Sequence, residues 1–411
     1  MSSLKYWVWL ASLKGVGAHN IQKLLEIFET PEKLFFADNK ELKKLGWLTD
    51  SQIGVLSNKS MEIPSRIIDS CINNRFRILT YADAEYPMRL RNIYDPPCVL
   101  YVKGNLPVID DEAALAVVGT RNCTPYGIRS AERISYEYTK CGGLIVSGLA
   151  RGIDSAAARG ALRAGGKVIG VIGSGLDVVY PYENRDLFHD VAEVGAIISE
   201  YPPGTKAYGG NFPMRNRILS GISVGVLVIE APRKSGALIT AARALEQGRD
   251  IFVLPGNADA EACFGSNELI KEGASAVTEA RDIVNEYMPL YPDVFKKAEN
   301  AVLVPLDKKE QKKLVEKECN NQGNRHNNTK KVIDNEVSIE YIDLVIRNEK
   351  LDGDELLVVK QLKNEAIHVD EIIVKSDLPA HRVLSALTML ELKGIVFQLP
   401  GKMFALDISE K

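Results

Sequence analysis

The sequence predicts an α/β fold: a doubly wound parallel sheet, preceded by a small helical segment and followed by a winged-helix unit. Three observations predict it. Between residues 113 and 288, short β-branched runs alternate with helical runs. The strand-like runs are apolar throughout instead of alternating, as strands covered on both faces are. After a charged, amide-rich stretch, three short helical patterns and a terminal hairpin pattern close the chain.

The elements follow in order. Residues 1–75 read as helices with short breaks at Lys14-Gly15-Val16-Gly17 and Leu45-Gly46-Trp47; Ile21, Leu24, Leu25, Ile27 and Phe28 fall at helical spacing. The apolar run 6–13 lacks the charged flank and small-residue cleavage site of a signal peptide, so it is read as a first helix. Gly15-Val16-Gly17 resembles a helix-hairpin-helix or SAM-like turn, which binds duplex phosphates or simply connects two helices. Strands are expected at 77–81 and 98–102, joined by a Pro-rich connector. Six more are expected at 115–118, 144–147, 168–172, 196–199, 224–229 and 251–254, with helices at 125–140, 155–164, 185–191 and 236–247. Residues 307–331 hold too few apolar side chains to fold and read as linker. Helices over 356–362, 369–374 and 383–393 and a hairpin over 395–406 complete the winged-helix pattern. Its third helix carries Arg382 and Lys393 but also Glu391 and Leu384, Leu387, Leu390 and Leu392, which suits a protein surface as well as a major groove. The domain boundaries expected are 1–75, 76–290, a linker over 291–349, and 350–411.

Composition narrows the function classes. Hydrophobic residues at 45% and charged residues at 26% are globular values. Fifty-one Lys and Arg against 54 Asp and Glu leave a net charge of −3, which excludes coating of nucleic acid by bulk charge but permits a local basic groove. Six cysteines without CxxC spacing argue against a zinc site or disulfide framework and fit a reducing cytoplasm. No apolar run approaches membrane-spanning length. No metal and no cofactor are expected.

In a doubly wound sheet, ligands bind beyond the carboxyl ends of the strands. The first such loop is Gly119-Thr120-Arg121; the second runs from Ser147 and Gly148 to Arg151 and Gly152, with Asp154 opening the next helix. The fourth ends at Thr205-Lys206, and the fifth passes Arg233-Lys234-Ser235-Gly236 into a helix. Glycine admits close backbone approach, and free N–H groups at the helix starts attract anions, so the set reads as a phosphate-binding rim. Gly173-Ser174-Gly175-Leu176-Asp177-Val178 lacks the third glycine of a dinucleotide fingerprint, and no Walker A sequence exists. The densest basic segment is Phe212-Pro213-Met214-Arg215-Asn216-Arg217, with Phe212 read in the loop before Pro213 and with Tyr201, Tyr208 and Lys206 nearby. Aromatics beside cations suit a single strand, stacking for bases and charge for phosphates. The same residues equally suit a hydrophobic plug, with arginines paired to Glu200 or Glu230. No histidine stands on a strand-end loop, and no serine has an evident base, so no catalytic residue is assigned. Asp154 and Asp177 read as a cap and a turn residue.

The order of motifs resembles a known family. Val117-Val118-Gly119-Thr120-Arg121, Ser147-Gly148-Leu149-Ala150-Arg151-Gly152-Ile153-Asp154, Gly173-Ser174-Gly175-Leu176-Asp177, Phe212-Pro213-Met214-Arg215-Asn216-Arg217 and Lys234-Ser235-Gly236-Ala237-Leu238-Ile239-Thr240 are similar to those of the DNA-processing protein A (DprA/Smf) family, over roughly residues 80–285. The resemblance implies an extended Rossmann-like fold without catalytic turnover. It implies a bacterial cytoplasmic protein that binds single-stranded DNA, protects incoming strands and loads RecA recombinase in natural transformation and recombination. It places Arg121, Lys206, Phe212, Arg215 and Arg217 in the DNA groove, with backbone contacts near Gly148, Gly152 and Gly236. Gly119, Thr120, Ser147, Arg151, Asn216 and Ser235 complete the candidate set. The partners are single-stranded DNA, RecA, a second copy of the chain and, as a further candidate, single-strand-binding protein. The dimer surface expected is the helix around Leu269 and Ile270, adjacent apolar residues between polar neighbours. The alternative is a nucleotide phosphoribohydrolase or nucleotide-sensing protein on the related lysine-decarboxylase-like fold. Here that family's glycine-rich loop is reduced to one glycine, and the first acid after it is Glu246.

Overall fold

The computed structural model describes residues 3–296 and, beyond them, 353–359, 361, 367–376, 378–392, 396–399 and 403–406. The linker expected at 307–331 lies outside the described residues. The chain divides into two compact units, Met1–Pro305 and Leu306–Lys411.

The first unit opens with six helices: α1 (Leu4–Ser12), α2 (Ala18–Phe28), α3 (Pro31–Phe36), α4 (Asn39–Lys44), α5 (Asp50–Leu56) and α6 (Glu62–Asn73). Side-chain caps set several of their starts. Thr30 accepts from the Lys33 amide ahead of Pro31, and Asp38/Glu41 and Thr49/Gln52 form reciprocal capping boxes. Trp9, Leu10, Leu24, Leu34, Leu42 and Leu56 are fully buried, and this core is continuous with one face of the sheet that follows.

That sheet has nine strands: β1 (Arg77–Thr80), β2 (Val99–Gly104), β3 (Ala114–Val118), β4 (Leu144–Ser147), β5 (Val168–Ile172), β6 (Ala196–Ser199), β7 (Gly225–Val228), β8 (Asp250–Val253) and β9 (Ser275–Ala276), in the order β1-β2-β6-β5-β4-β3-β7-β8-β9. From β6 across to β9 every pairing is parallel, but β2 runs antiparallel to β6 and β1 antiparallel to β2. The parallel sheet expected between residues 113 and 288 is thus present, and the two strands before it, for which no direction was expected, extend it as an antiparallel edge. The helices between strands are α7 (Met88–Arg91), α8 (Pro125–Lys140), α9 (Ile153–Arg163), α10 (Arg185–Val194), α11 (Asn211–Gly221), α12 (Gly236–Glu246) and α13 (Phe264–Lys271); α14 (Ala280–Tyr287) and α15 (Pro292–Phe295) follow β9. Successive residues of β3 serve opposite faces: Leu115 and Val117 join one core, Ala114, Ala116 and Val118 the other. The chain winds outward from β3 to β6, returns to β7 beside β3, and winds the other way. The carboxyl ends of β3 and β7 are thus the topological switch point.

The second unit contains α16 (Gly353–Val359), β10 (Ile367–His368), α17 (Val369–Ser376), α18 (Ala380–Leu392), β11 (Val396–Leu399) and β12 (Met403–Leu406). Its sheet order is β10-β12-β11, the winged-helix pattern with one short strand that the sequence reading lacked. The turn at 400–401 lies outside the described residues. Leu387 and Leu390 of α18 are buried with Val358, Ile372 and Phe404, whereas Leu384 faces outward. Arg382 is bound to the Asp354 carboxylate through two nitrogens, at 2.5 and 2.7 Å. No described helix is long and apolar enough to cross a membrane.

Candidate nucleic-acid interface

An open cleft of about 510 Å³ lies at the switch point. Its walls are the loop after β3 (Gly119, Thr120, Arg121, Asn122), the start of α11 (Phe212, Pro213, Arg215, Asn216) and the start of α12 (Lys234, Ser235, Gly236), with Asp154 and Tyr180 alongside. Local sequence fixes each wall. The Thr120 amide donates to the Glu230 carbonyl at 2.7 Å, anchoring the first loop to the end of β7. Thr124 caps α8, and its own amide and hydroxyl donate to the buried Glu230 carboxylate at 2.9 and 2.5 Å. Ser235 caps α12 by accepting from the Ala237 amide at 3.2 Å, which leaves the Gly236 end of this helix facing the cleft, with open space around it.

At the mouth, Arg121 is exposed and its guanidinium lies 5.2 Å from the centre of the Phe212 ring. Tyr180 meets the same ring at 5.5 Å and 36°. Phe212 was expected in a loop before Pro213; it stands instead in the first turn of α11, half-buried. Proline is tolerated there because first-turn amides have no helical partner to lose.

The two arginines expected in the groove have different surroundings, and neither is exposed. Arg215 is 4% exposed, and its guanidinium forms part of the cleft floor, donating to the Val171 carbonyl. A Cβ built on Gly148 would fall 2.6 Å from both terminal Arg215 nitrogens and against an Asp154 oxygen, so the absence of a side chain at Gly148 leaves room for this pair. Burial pushes the Asp154 carboxyl up to about 6, opposed by Arg215 and by the Ala150 and Gly148 amides. Burial likewise pulls Arg215 down to about 10. Arg217 is 3% exposed and does not line the cleft. It binds Asp95 at 3.0 Å and Glu200 at 2.7 Å. Burial opposes its charge, but Glu200 and Asp95 outweigh burial and hold its pKa above the ordinary value. Of the two arginine partners considered from sequence, Glu200 is the one used; Glu230 serves Thr124.

The remaining candidates divide similarly. Ser147 is buried, donating to the Asp154 carbonyl at 2.8 Å and accepting from the Leu149 amide at 3.1 Å. Gly152 has φ +77°, and a Cβ there would lie 2.7 Å from the Arg121 carbonyl, so this glycine lets the second loop pass beneath the first. Arg151 is exposed and paired with Glu183 at 2.5 Å. Lys206 is exposed outside the cleft lining, on a loop held by the Gly204 amide donating to Asp177 at 2.8 Å. Leu269 and Ile270 are both half-buried and both lean on the sheet's second core. The sequence reading missed Tyr180 and Asn122; the available signal for the first was Tyr180-Pro181-Tyr182, two aromatics in a loop.

Fold and cleft together define a doubly wound α/β protein with a glycine- and arginine-lined crevice at its switch point, combined in one chain with a winged-helix unit. Residues 77–288 match the DNA recombination-mediator protein A family, and residues 347–402 match the DprA winged helix domain. The chain is 40% identical over 280 residues to Protein Smf of Synechocystis, covering 67% of this chain and 70% of that one. It is 41% identical over 221 residues to DNA processing protein DprA of Bacillus subtilis, covering 54% and 74%. The X-ray structure of DNA processing protein A from Streptococcus pneumoniae superposes with a TM-score of 0.60 at 36% identity, over 69% of this chain and 97% of that one. The chain belongs to the DNA recombination-mediator protein A (DprA/Smf) family.

Proposed function

We propose that the chain binds single-stranded DNA at this cleft with little sequence preference and without turnover, protecting the strand and loading RecA recombinase onto it in natural transformation and recombination. The observation that carries the reading is the Arg121–Phe212 stack at the cleft mouth, which sets a cation for phosphate against a π face for a base. Gly119, Thr120, Asn216, Ser235 and Gly236 extend the rim, Arg215 supplies positive charge from the floor, and Lys206 continues the cationic track outside. Membership in a recombination-mediator family and relatives named DNA processing proteins support the same reading.

Binding without turnover is favoured by how the acids below the cleft are engaged. Glu230 accepts both bonds from Thr124, and Asp154 is held against Arg215 and backbone amides, so neither is free to act on a bound sugar. We place the work in the cytoplasm, carried out by a homodimer joined through the exposed parts of Leu269 and Ile270. Residues 1–75 and 350–411 modulate the central domain of 76–290, with 291–349 as the tether. Anisotropy titrations with labelled oligo(dT), duplex and mononucleotides, run alongside a free-base release assay, test the reading. Preferential oligo(dT) binding with no base release is the expected result. Base release or a preference for mononucleotides would overturn it.

A further inference from the structure

We propose that Tyr180, with Tyr182 beside it, forms a second stacking platform that carries the bases of a bound strand out of the cleft. The inference rests on the single-strand reading above and adds a recognition element to it. The two rings occupy a loop that sequence patterning assigned to no purpose. Tyr180 lines the cleft and is 43% exposed; Tyr182 is 72% exposed.

Rings left in water on a mobile loop would carry little meaning, but this loop is tied down at both ends. Ser174 donates its hydroxyl to the Val178 carbonyl at 2.9 Å. The buried Asn184 amide donates to the Leu149 carbonyl at 2.9 Å, the Ala150 carbonyl at 3.2 Å and the Ser155 hydroxyl at 2.8 Å. Arg151 clasps Glu183 between them, which gives that rim arginine a positioning role. The fold thus holds the Tyr180 ring at the cleft and the Tyr182 ring in solvent two residues further on, both on an ordered loop, so a ligand stacking on them loses little entropy in arranging them.

The geometry also fixes where the bases go. Tyr180 is already in ring contact with Phe212, so no base enters between these two rings, and a base stacking on Phe212 takes the face that Arg121 vacates as it turns to a phosphate. The outward face of Tyr180 is the next available stacking surface. Phosphates would follow the Arg121 side while bases lie on the tyrosines, so base stacking and phosphate binding fall on separate residues and separate cleanly by experiment.

The test compares oligo(dT) with an abasic strand of the same length on the full chain. Wild type is expected to prefer oligo(dT). Tyr180→Leu keeps apolar bulk but removes the π face; it should weaken oligo(dT) binding by roughly 10- to 100-fold, the loss of one base–aromatic stack. Abasic binding should stay at the wild-type level, and Tyr180→Phe should restore oligo(dT) binding. Tyr182→Ala, on the more exposed of the two rings, should give a smaller loss with the same selectivity. Oligo(dT) binding by Tyr180→Leu within about twofold of wild type, or an equal loss on both strands, overturns the platform while leaving the single-strand reading intact. Failure of wild type to bind oligo(dT) overturns the single-strand reading itself.

Discussion

Replacing Arg217 by alanine should unfold the protein more readily instead of weakening its grip on phosphate. The sequence places Arg217 two residues from Arg215 in the densest basic segment, which invites a DNA-binding role. Its guanidinium is 3% exposed and sits between Asp95 at 3.0 Å and Glu200 at 2.7 Å. Removing it strands two half-buried carboxylates beside each other. Breaking a buried ion pair from one side costs about 3–5 kcal/mol, most of it the uncompensated charge left behind. At about 2–4 °C per kcal/mol for a domain of this size, the melting temperature should fall by roughly 6–20 °C. Circular dichroism melts of the full chain read that shift. A companion change checks the cause: adding Glu200→Gln to Arg217→Met should recover part of the loss, since the two residues are coupled. Arg121→Ala is the contrast. Arg121 is exposed, so its stability should change by less than ~0.5 kcal/mol, while the log–log salt dependence of oligo(dT) binding should flatten by about 0.7. An Arg217→Ala protein that melts like wild type but binds oligo(dT) with a flattened salt slope would refute the assignment and return Arg217 to the groove.

Three further outcomes are expected. Phe212→Ala should cost ~1–3 kcal/mol of oligo(dT) affinity with little change in a denaturant melt; a stability loss of ~3–5 kcal/mol with unchanged affinity would mark the ring as a plug. Asp154 is raised by burial from 3.8 to about 6, so the folded chain holds that proton longer than the unfolded chain. Its contribution to stability is therefore full below 3.8 and lost as pH rises through about 6. Asp154→Asn should flatten the wild-type decline in denaturant midpoint over that window, and parallel pH profiles would exclude the effect. Leu269→Glu or Ile270→Glu should reduce the light-scattering mass from dimer to monomer in folded protein; two folded variants that remain dimeric would rule out α13 as the interface.

What could be read from the chain follows from which forces act locally. The six strands from 115 to 254 were legible because burial on both faces demands unbroken apolar runs, and the structure places β3 to β8 within a residue or two of those runs. Helix starts were legible where a cap and a proline coincide, as at Thr124-Pro125. Strand direction at the β1–β2 edge was not, because the apolar pattern of a strand carries no sign of which way it points. β9 and β10, two residues each, are too short to show any period. The glycine loops were legible as a set, and the cleft does gather Gly119, Thr120, Arg121, Phe212, Arg215, Asn216, Ser235 and Gly236. Sequence could not sort the arginines. Spacing of two on a helix says that Arg215 and Arg217 diverge, but a surface helix would leave one in water. The C-terminal half of α11 has no solvent face: residues 217–221 are all buried, so both charges must find partners inside the protein. Those partners, Asp154 for one and Asp95 with Glu200 for the other, lie between 17 and 122 residues away along the chain. The basic character that makes this segment look like a phosphate track is spent largely on holding α11 to the sheet. The mobile work at the mouth is left to Arg121, an exposed residue on a loop whose neighbour Thr120 is fixed to β7.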